Sequence, residues 1–138
     1  MLAGELYNPL DKEISAERIK TRLLLKELNE SREDKPEKRA EILQESIPNV
    51  GENLWLQPPL YCDYGYNISC GEKVFFNFNC VVLDMCEVKI GSRTLFGLNV
   101  QIYTATHSMN HIERASGKEF VKPTSIGEDI WVYGRAVR

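Results

Sequence analysis

The sequence predicts a mainly β protein: a parallel β-helix of hexapeptide repeats, preceded by a short segment of two helices. Three observations carry this. More than half of the charged side chains lie between residues 11 and 45, a stretch with one proline, Pro36, and no glycine. Beyond it, Val50-Gly51, Cys70-Gly71 and Ile90-Gly91 recur twenty residues apart. Within these blocks apolar residues return every six positions, at Val50 and Leu56, at Cys70, Phe76 and Val82, and at Ile90, Phe96 and Ile102, resuming at Ile126 and Val132. A helix repeats about every 3.6 residues and a lone strand every 2, so neither gives a period of six.

The charged stretch reads as two amphipathic helices. The first covers 15–29, with Ser15 as N-cap and Ile19, Leu23 and Leu28 as its apolar stripe. A polar turn at 30–34 follows. The second helix starts at Pro36, tolerated in a first helical turn, and carries Ala40, Ile42 and Leu43. The mixed charges read as a solvated face with i,i+4 pairs. Residues 1–48 therefore form a helical segment and 49–138 the β-helix, with an irregular excursion at 107–124. In the β-helix each hexapeptide gives one short strand and a corner, and three hexapeptides complete a coil. The glycine after an inward residue suits either close packing or an unusual backbone angle. Four residues after each inward position comes a second inward candidate, small or branched: Leu54, Leu60, Val74, Cys80, Cys86, Thr94, Val100, Thr106, Ile130 and Ala136. Cys80 and Cys86 are thus explained by size, without redox chemistry.

Composition excludes several classes. With 138 residues and 43% hydrophobic content, one domain can bury an ordinary core. Seventeen basic against twenty acidic residues leave a net charge of −3, so nucleic acid is not an expected partner. No apolar run approaches the roughly 20 residues of a membrane span. Met1-Leu2-Ala3-Gly4-Glu5 has neither the basic nor the apolar region of a signal peptide. The four cysteines lack Cys-x-x-Cys spacing, which fits small core residues in a reducing, cytoplasmic setting. Two histidines, His107 and His111, are too few for a three-histidine metal centre, and no metal is expected.

Further motifs carry a resemblance. Leu60-Tyr61-Cys62-Asp63-Tyr64-Gly65-Tyr66-Asn67-Ile68, Asn77-Phe78-Asn79-Cys80, Thr104-Ala105-Thr106-His107 and Ile126-Gly127-Glu128-Asp129-Ile130-Trp131 occur in order, behind Leu2-Ala3-Gly4-Glu5-Leu6-Tyr7. The chain resembles, over essentially its whole length, the maltose and galactoside O-acetyltransferases. These are left-handed β-helix acyltransferases similar to the nodulation acetyltransferases. The resemblance implies a homotrimer with sites between subunits, and acetyl-CoA as co-substrate with a sugar such as maltose or glucose as acceptor. A neutral hydroxyl attacks a thioester slowly, so a general base must take its proton, and histidine, with an unperturbed pKa of about 6.5, suits that role. Hydrogen-bond donors must then meet the oxyanion. His107 matches the family's catalytic segment, whereas His111 reads as a loop residue. The resemblance places Asn77 and Asp84 on the acceptor, with Tyr64, Tyr7 and Asp11 as weaker acceptor-side candidates. It puts Trp131 beside the pantetheine arm of CoA. Met85 stands where the galactoside branch carries an acid, which favours the maltose-like branch. Glu119 could orient the histidine, though a plain loop carboxylate is the simpler reading.

The pattern also departs from the family. Ser108 replaces the proline after the histidine, and Tyr133 replaces a glycine on the expected path of CoA. Family members continue for two or more coils, whereas Arg138 falls on an inward register, where a buried charge costs several kcal/mol. The expectation is a shortened chain whose repeat ends at Arg138. That leaves an alternative to the enzyme: a non-catalytic β-helix trimerisation module that has lost its CoA site.

Overall fold

The computed structural model describes residues 11–137. Two helices lead: α1 (Lys12–Asn29) and α2 (Pro36–Ser46). The first coil is β1 (Asn49–Val50), β2 (Trp55–Leu56) and β3 (Leu60–Cys62). The second is β4 (Ile68–Cys70), β5 (Phe75–Phe76) and β6 (Cys80–Leu83), and the third is β7 (Val88–Ile90), β8 (Leu95–Phe96) and β9 (Gln101–Tyr103). The chain then leaves through β10 (Ala105–Thr106), α3 (His111–Ala115) and β11 (Phe120–Val121). It returns with β12 (Thr124–Ile126) and β13 (Trp131–Val132).

Equivalent strands of successive coils stack in parallel into three sheets, ordered β1-β4-β7-β12, β2-β5-β8-β13 and β3-β6-β9. The register is the one the repeat requires. Val50, Cys70, Ile90 and Ile126 align on the first face, Leu56, Phe76, Phe96 and Val132 on the second, and Cys62, Val82 and Ile102 on the third. Their side chains fill the prism as one apolar cluster, with the Phe76 and Phe96 rings stacked 4.7 Å apart.

The glycines settle which of their two expected uses applies. A Cβ on Gly91 would lie 2.5 Å from the Gly127 carbonyl carbon, and one on Gly51 would lie 2.7 Å from that of Gly71, so these positions are glycine because coils touch there. The left-handed backbone falls two residues later, on the stacked corner residues Asn53, Lys73, Arg93 and Asp129.

The helices correct two expectations. Helix α1 begins at Lys12, capped by Asp11 rather than Ser15, because the Asp11 carboxylate accepts from the N–H of Glu13 and Ile14. Its buried face is Thr21, Leu25 and Leu28, while Ile19 and Leu23 are exposed. Thr21 tolerates burial because its hydroxyl donates to the Tyr64 carbonyl at 2.9 Å. Helix α2 matches its expected start at Pro36 and buries Ile42.

Two second-position residues also differ. Thr106 is exposed and Thr104 is buried instead, since the chain departs from the prism at this point. Ile130 is 39% exposed, in the last described coil, where no further described coil lies over it. Arg138 lies outside the described residues.

All four cysteines are buried and free. Burial pushes the Cys70 thiol up to about 12 and raises Cys62 and Cys80 as well. A thiol reagent should therefore modify none of the four in the native protein and all four after unfolding. Rapid native-state modification of Cys80 or Cys86 would contradict the register.

Candidate active site

The excursion from the prism is a short antiparallel hairpin. Thr104 anchors its root: the hydroxyl donates to the Leu83 carbonyl at 2.6 Å and accepts from the Cys86 N–H at 3.0 Å. Ala105 then pairs with Val121 and Thr106 with Phe120. One step further out, the same register brings His107 opposite Glu119, with Nε2 3.7 Å from Oε1. The histidine side chain is half exposed, while that of Glu119 is largely buried. At 3.7 Å this is a charge contact rather than a hydrogen bond, with the carboxylate placed beside one of the two imidazole nitrogens.

The turn beyond the histidine is ordered by its own side chains. Ser108 donates to the Glu113 carboxylate at 2.6 Å and accepts from the Asn110 N–H, and Arg114 donates to the Ser108 carbonyl. These bonds supply a constraint where the family pattern has proline. His111 is exposed but opens the short helix α3, so it is a helical residue rather than the loop residue expected.

Under the hairpin, Tyr64, Met85, Cys86 and Val121 form a second buried cluster, with Ile14 and Ala105 against it. Burial pushes the Tyr64 phenol above its ordinary range, against the pull of the nearby Arg18 guanidinium. Asp84 is wholly buried, and its Oδ1 accepts from the N–H of Asp63 and of Tyr64 at 2.9 Å each. Its Oδ2 has no partner among the described residues. The geometry of Asp84 is thus that of a turn holder set beneath the surface. Neighbouring Asp63, which the sequence reading passed over, is buried and ion-paired with Arg22 at 2.8 Å. Asp11, a weaker acceptor-side candidate, has its carboxylate engaged in the α1 cap. Tyr7 lies outside the described residues.

Burial raises the Asp84 carboxyl above its ordinary value, outweighing its backbone hydrogen bonds. Between the ordinary and the raised value the folded chain holds a proton that the unfolded chain has lost, so stability falls as pH rises through that window. Denaturant midpoints followed upward from acid should show wild type losing stability relative to Asp84→Asn, which cannot titrate. Parallel curves would contradict the assignment.

The remaining candidates lie elsewhere on the prism. Asn77 sits half-buried at the corner between the second and third faces, its side-chain oxygen accepting from the Phe78 N–H. His107 leaves the opposite end of the third face, so within one chain the two are a face-width apart. Trp131 is 62% exposed on the second face and stacks on Tyr133, ring centres 4.5 Å apart. In register with it outside the prism run Leu95, Phe75 and Trp55, an apolar strip four coils long. By contrast, the first face presents Asn49, Ser69, Lys89 and Ser125. Among the described residues no group of three or more His, Cys, Asp or Glu could hold a metal ion, and no helix is long and apolar enough to cross a membrane.

Comparison with known proteins bears on this arrangement. Residues 1–51 match the family described as the maltose acetyltransferase hexapeptide capping motif. Nodulation protein L of Rhizobium meliloti is 42% identical over 137 residues, which cover 99% of this chain and 75% of that protein. The crystal structure of a maltose O-acetyltransferase from Clostridium difficile superposes with a TM-score of 0.96 at 38% identity, covering 99% of this chain and 73% of that one. The chain belongs to the maltose and galactoside O-acetyltransferase family. The fold is accordingly the family's left-handed parallel β-helix. A galactoside acetyltransferase of this family, solved in complex with coenzyme A, superposes with a TM-score of 0.94 at 32% identity, covering 98% of this chain and 68% of that one.

Proposed function

We propose that this acetyltransferase-family chain moves the acetyl group of acetyl-CoA to a hydroxyl of a sugar such as maltose or glucose. The observation that carries the reading is the His107–Glu119 pair on a hairpin braced against the prism. His107 takes the proton of the acceptor hydroxyl as its oxygen bonds to the thioester carbonyl carbon. When the carbon–sulfur bond breaks, the imidazolium returns that proton to the departing sulfur, so the side chain ends as it began. Glu119 holds the ring and stabilises its charged form. No acyl-enzyme is needed if both substrates are bound together. The coenzyme A complex of the relative supports acetyl-CoA as the donor, and the exposed Trp131–Tyr133 pair offers an apolar wall for its pantetheine arm. Tyr133 then stands along that path as part of the wall rather than as an obstruction.

The separation of Asn77 from His107 supports an oligomer. A site using both draws the histidine from one chain and the asparagine from a neighbour across the third face, which a homotrimer of prisms provides. Inactive His107→Ala and Asn77→Ala proteins, unfolded together and reassembled, should recover activity, because some sites in the mixed trimers carry neither change. A mixture as inactive as its parents would contradict the shared site. The reaction itself is tested by thiol release from acetyl-CoA over a panel of sugars. Release that requires a sugar is the expected result, and release indifferent to every sugar would overturn the reading.

A further inference from the structure

Helix α3 buries none of its residues, so apolar packing does not explain why the chain forms it. Its polar groups do. The Asn110 side chain caps the first turn, accepting from the Ile112 N–H at 2.9 Å. The Glu113 carboxylate accepts from the Ser108 hydroxyl at 2.6 Å, and the same hydroxyl accepts from the Asn110 N–H at 3.1 Å. Arg114 Nη1 donates to the carbonyls of Ser108 and Met109, at 3.0 and 3.4 Å. At the other end of α3, Ser116 donates to the Glu113 carbonyl at 2.6 Å and accepts from the Lys118 N–H at 3.4 Å. Gly117 turns the chain between them in the left-handed region, with φ at 73°.

These bonds end on Ser108 and Lys118, the residues that adjoin His107 and Glu119. The pair is therefore gripped from two sides. On the prism side lie Ala105–Val121 and Thr106–Phe120, with the Lys122 N–H donating to the Thr104 carbonyl at 2.8 Å. Strands this short hold little by themselves, because an isolated two-stranded hairpin is marginal in water. A general base acts only within about 2.6–3.2 Å of the atom whose proton it takes, so a loose tip takes His107 out of reach and leaves the prism untouched. A proline locks its own φ and keeps the preceding residue extended. Serine does neither, and Ser108 is fixed instead by the two residues of α3 that reach back to it.

We infer that Glu113 and Arg114 are positioning residues for acetyl transfer: through the hydroxyl and the carbonyl of Ser108 they set where the His107 imidazole stands. The inference rests on the reading of His107 as the base. It gives α3 a purpose that its exposure otherwise leaves unexplained. Glu119 meets the imidazole itself, at 3.7 Å, whereas Glu113 and Arg114 act on the backbone that carries it.

The test is steady-state kinetics of the full chain with acetyl-CoA and whichever of glucose, maltose, galactose and lactose is acetylated fastest. Glu113→Ala and Arg114→Ala should each lower kcat about 10- to 100-fold, the cost of a misplaced catalytic group. KM for both substrates should stay within about twofold, because substrate binding is not what these residues support. Urea midpoints should not move, since α3 buries nothing. Glu113→Gln, which keeps an acceptor oxygen, should retain most of the rate that Glu113→Ala loses. Ser108→Pro combined with Arg114→Ala should regain most of kcat, and the proline removes no backbone hydrogen bond, as the Ser108 N–H donates none among the described residues. Full kcat in both alanine variants would overturn the inference. So would a loss that comes with a raised KM or a lowered midpoint, or one that neither glutamine nor proline repairs. His107→Ala in the same assay separates this inference from the one beneath it. Wild-type turnover there overturns the base itself, whereas an inactive His107→Ala beside fully active Glu113 and Arg114 variants overturns only the positioning role.

Discussion

Replacing His107 by alanine should lower kcat/KM by about 10² to 10⁴-fold, the range for removing a general base. The side chain is half exposed and its one described ion-pair partner is Glu119, so folding and assembly should be unchanged. Far-UV circular dichroism and sedimentation would check that. Glu119→Gln should cost less, because the amide keeps a similar shape and forfeits only the charge that orients and stabilises the imidazolium. A His107→Ala protein retaining most turnover would remove the residue from the mechanism.

The second large effect is expected in the prism. Phe96 is 1% exposed, stacks on Phe76 and lies in register with Leu56 and Val132. Phe96→Ala should reduce stability by about 3–5 kcal/mol, transfer and cavity terms together. That is a large share of a total near 5–15 kcal/mol. Its sequence neighbour Leu95 points outward and is 43% exposed, so Leu95→Ala should stay within about 0.5 kcal/mol in the isolated chain. Urea midpoints for the two variants read the register directly, and a reversed order would contradict it.

The contrast between adjacent residues shows why the prism was legible in the sequence. A six-residue period has no competing local explanation, and every coil restates it, so the inward ladder could be named before any coordinates. Helix α1 offered no such redundancy. Ile19 and Leu23 fit one helical stripe, Thr21, Leu25 and Leu28 another, and the choice is made by the Tyr64 carbonyl that takes the Thr21 hydroxyl. That contact spans 43 residues and leaves no local trace. The same holds at the hairpin. His107 was visible through its motif, but the weight of Glu119 depends on an antiparallel register set by Ala105–Val121 and Thr106–Phe120. The turn residues between Asn110 and Gly117 could have suggested the pairing, since a hairpin centred there brings 107 and 119 together. Asp84 was named by its motif alone, and its burial beneath Asp63 and Tyr64 becomes visible only once the coils are stacked.

The central claim is direct acetyl transfer from acetyl-CoA to a sugar hydroxyl, with His107 as base and no acyl-enzyme. Mass spectrometry of one reaction, sampled before and after the sugar is added, tests it most directly. With acetyl-CoA alone the protein mass should be unchanged and no thiol released. On addition of sugar, one acetyl group should appear on the carbohydrate as coenzyme A is freed. An acetylated protein before the sugar arrives, or coenzyme A freed without an acetylated sugar, would contradict the account.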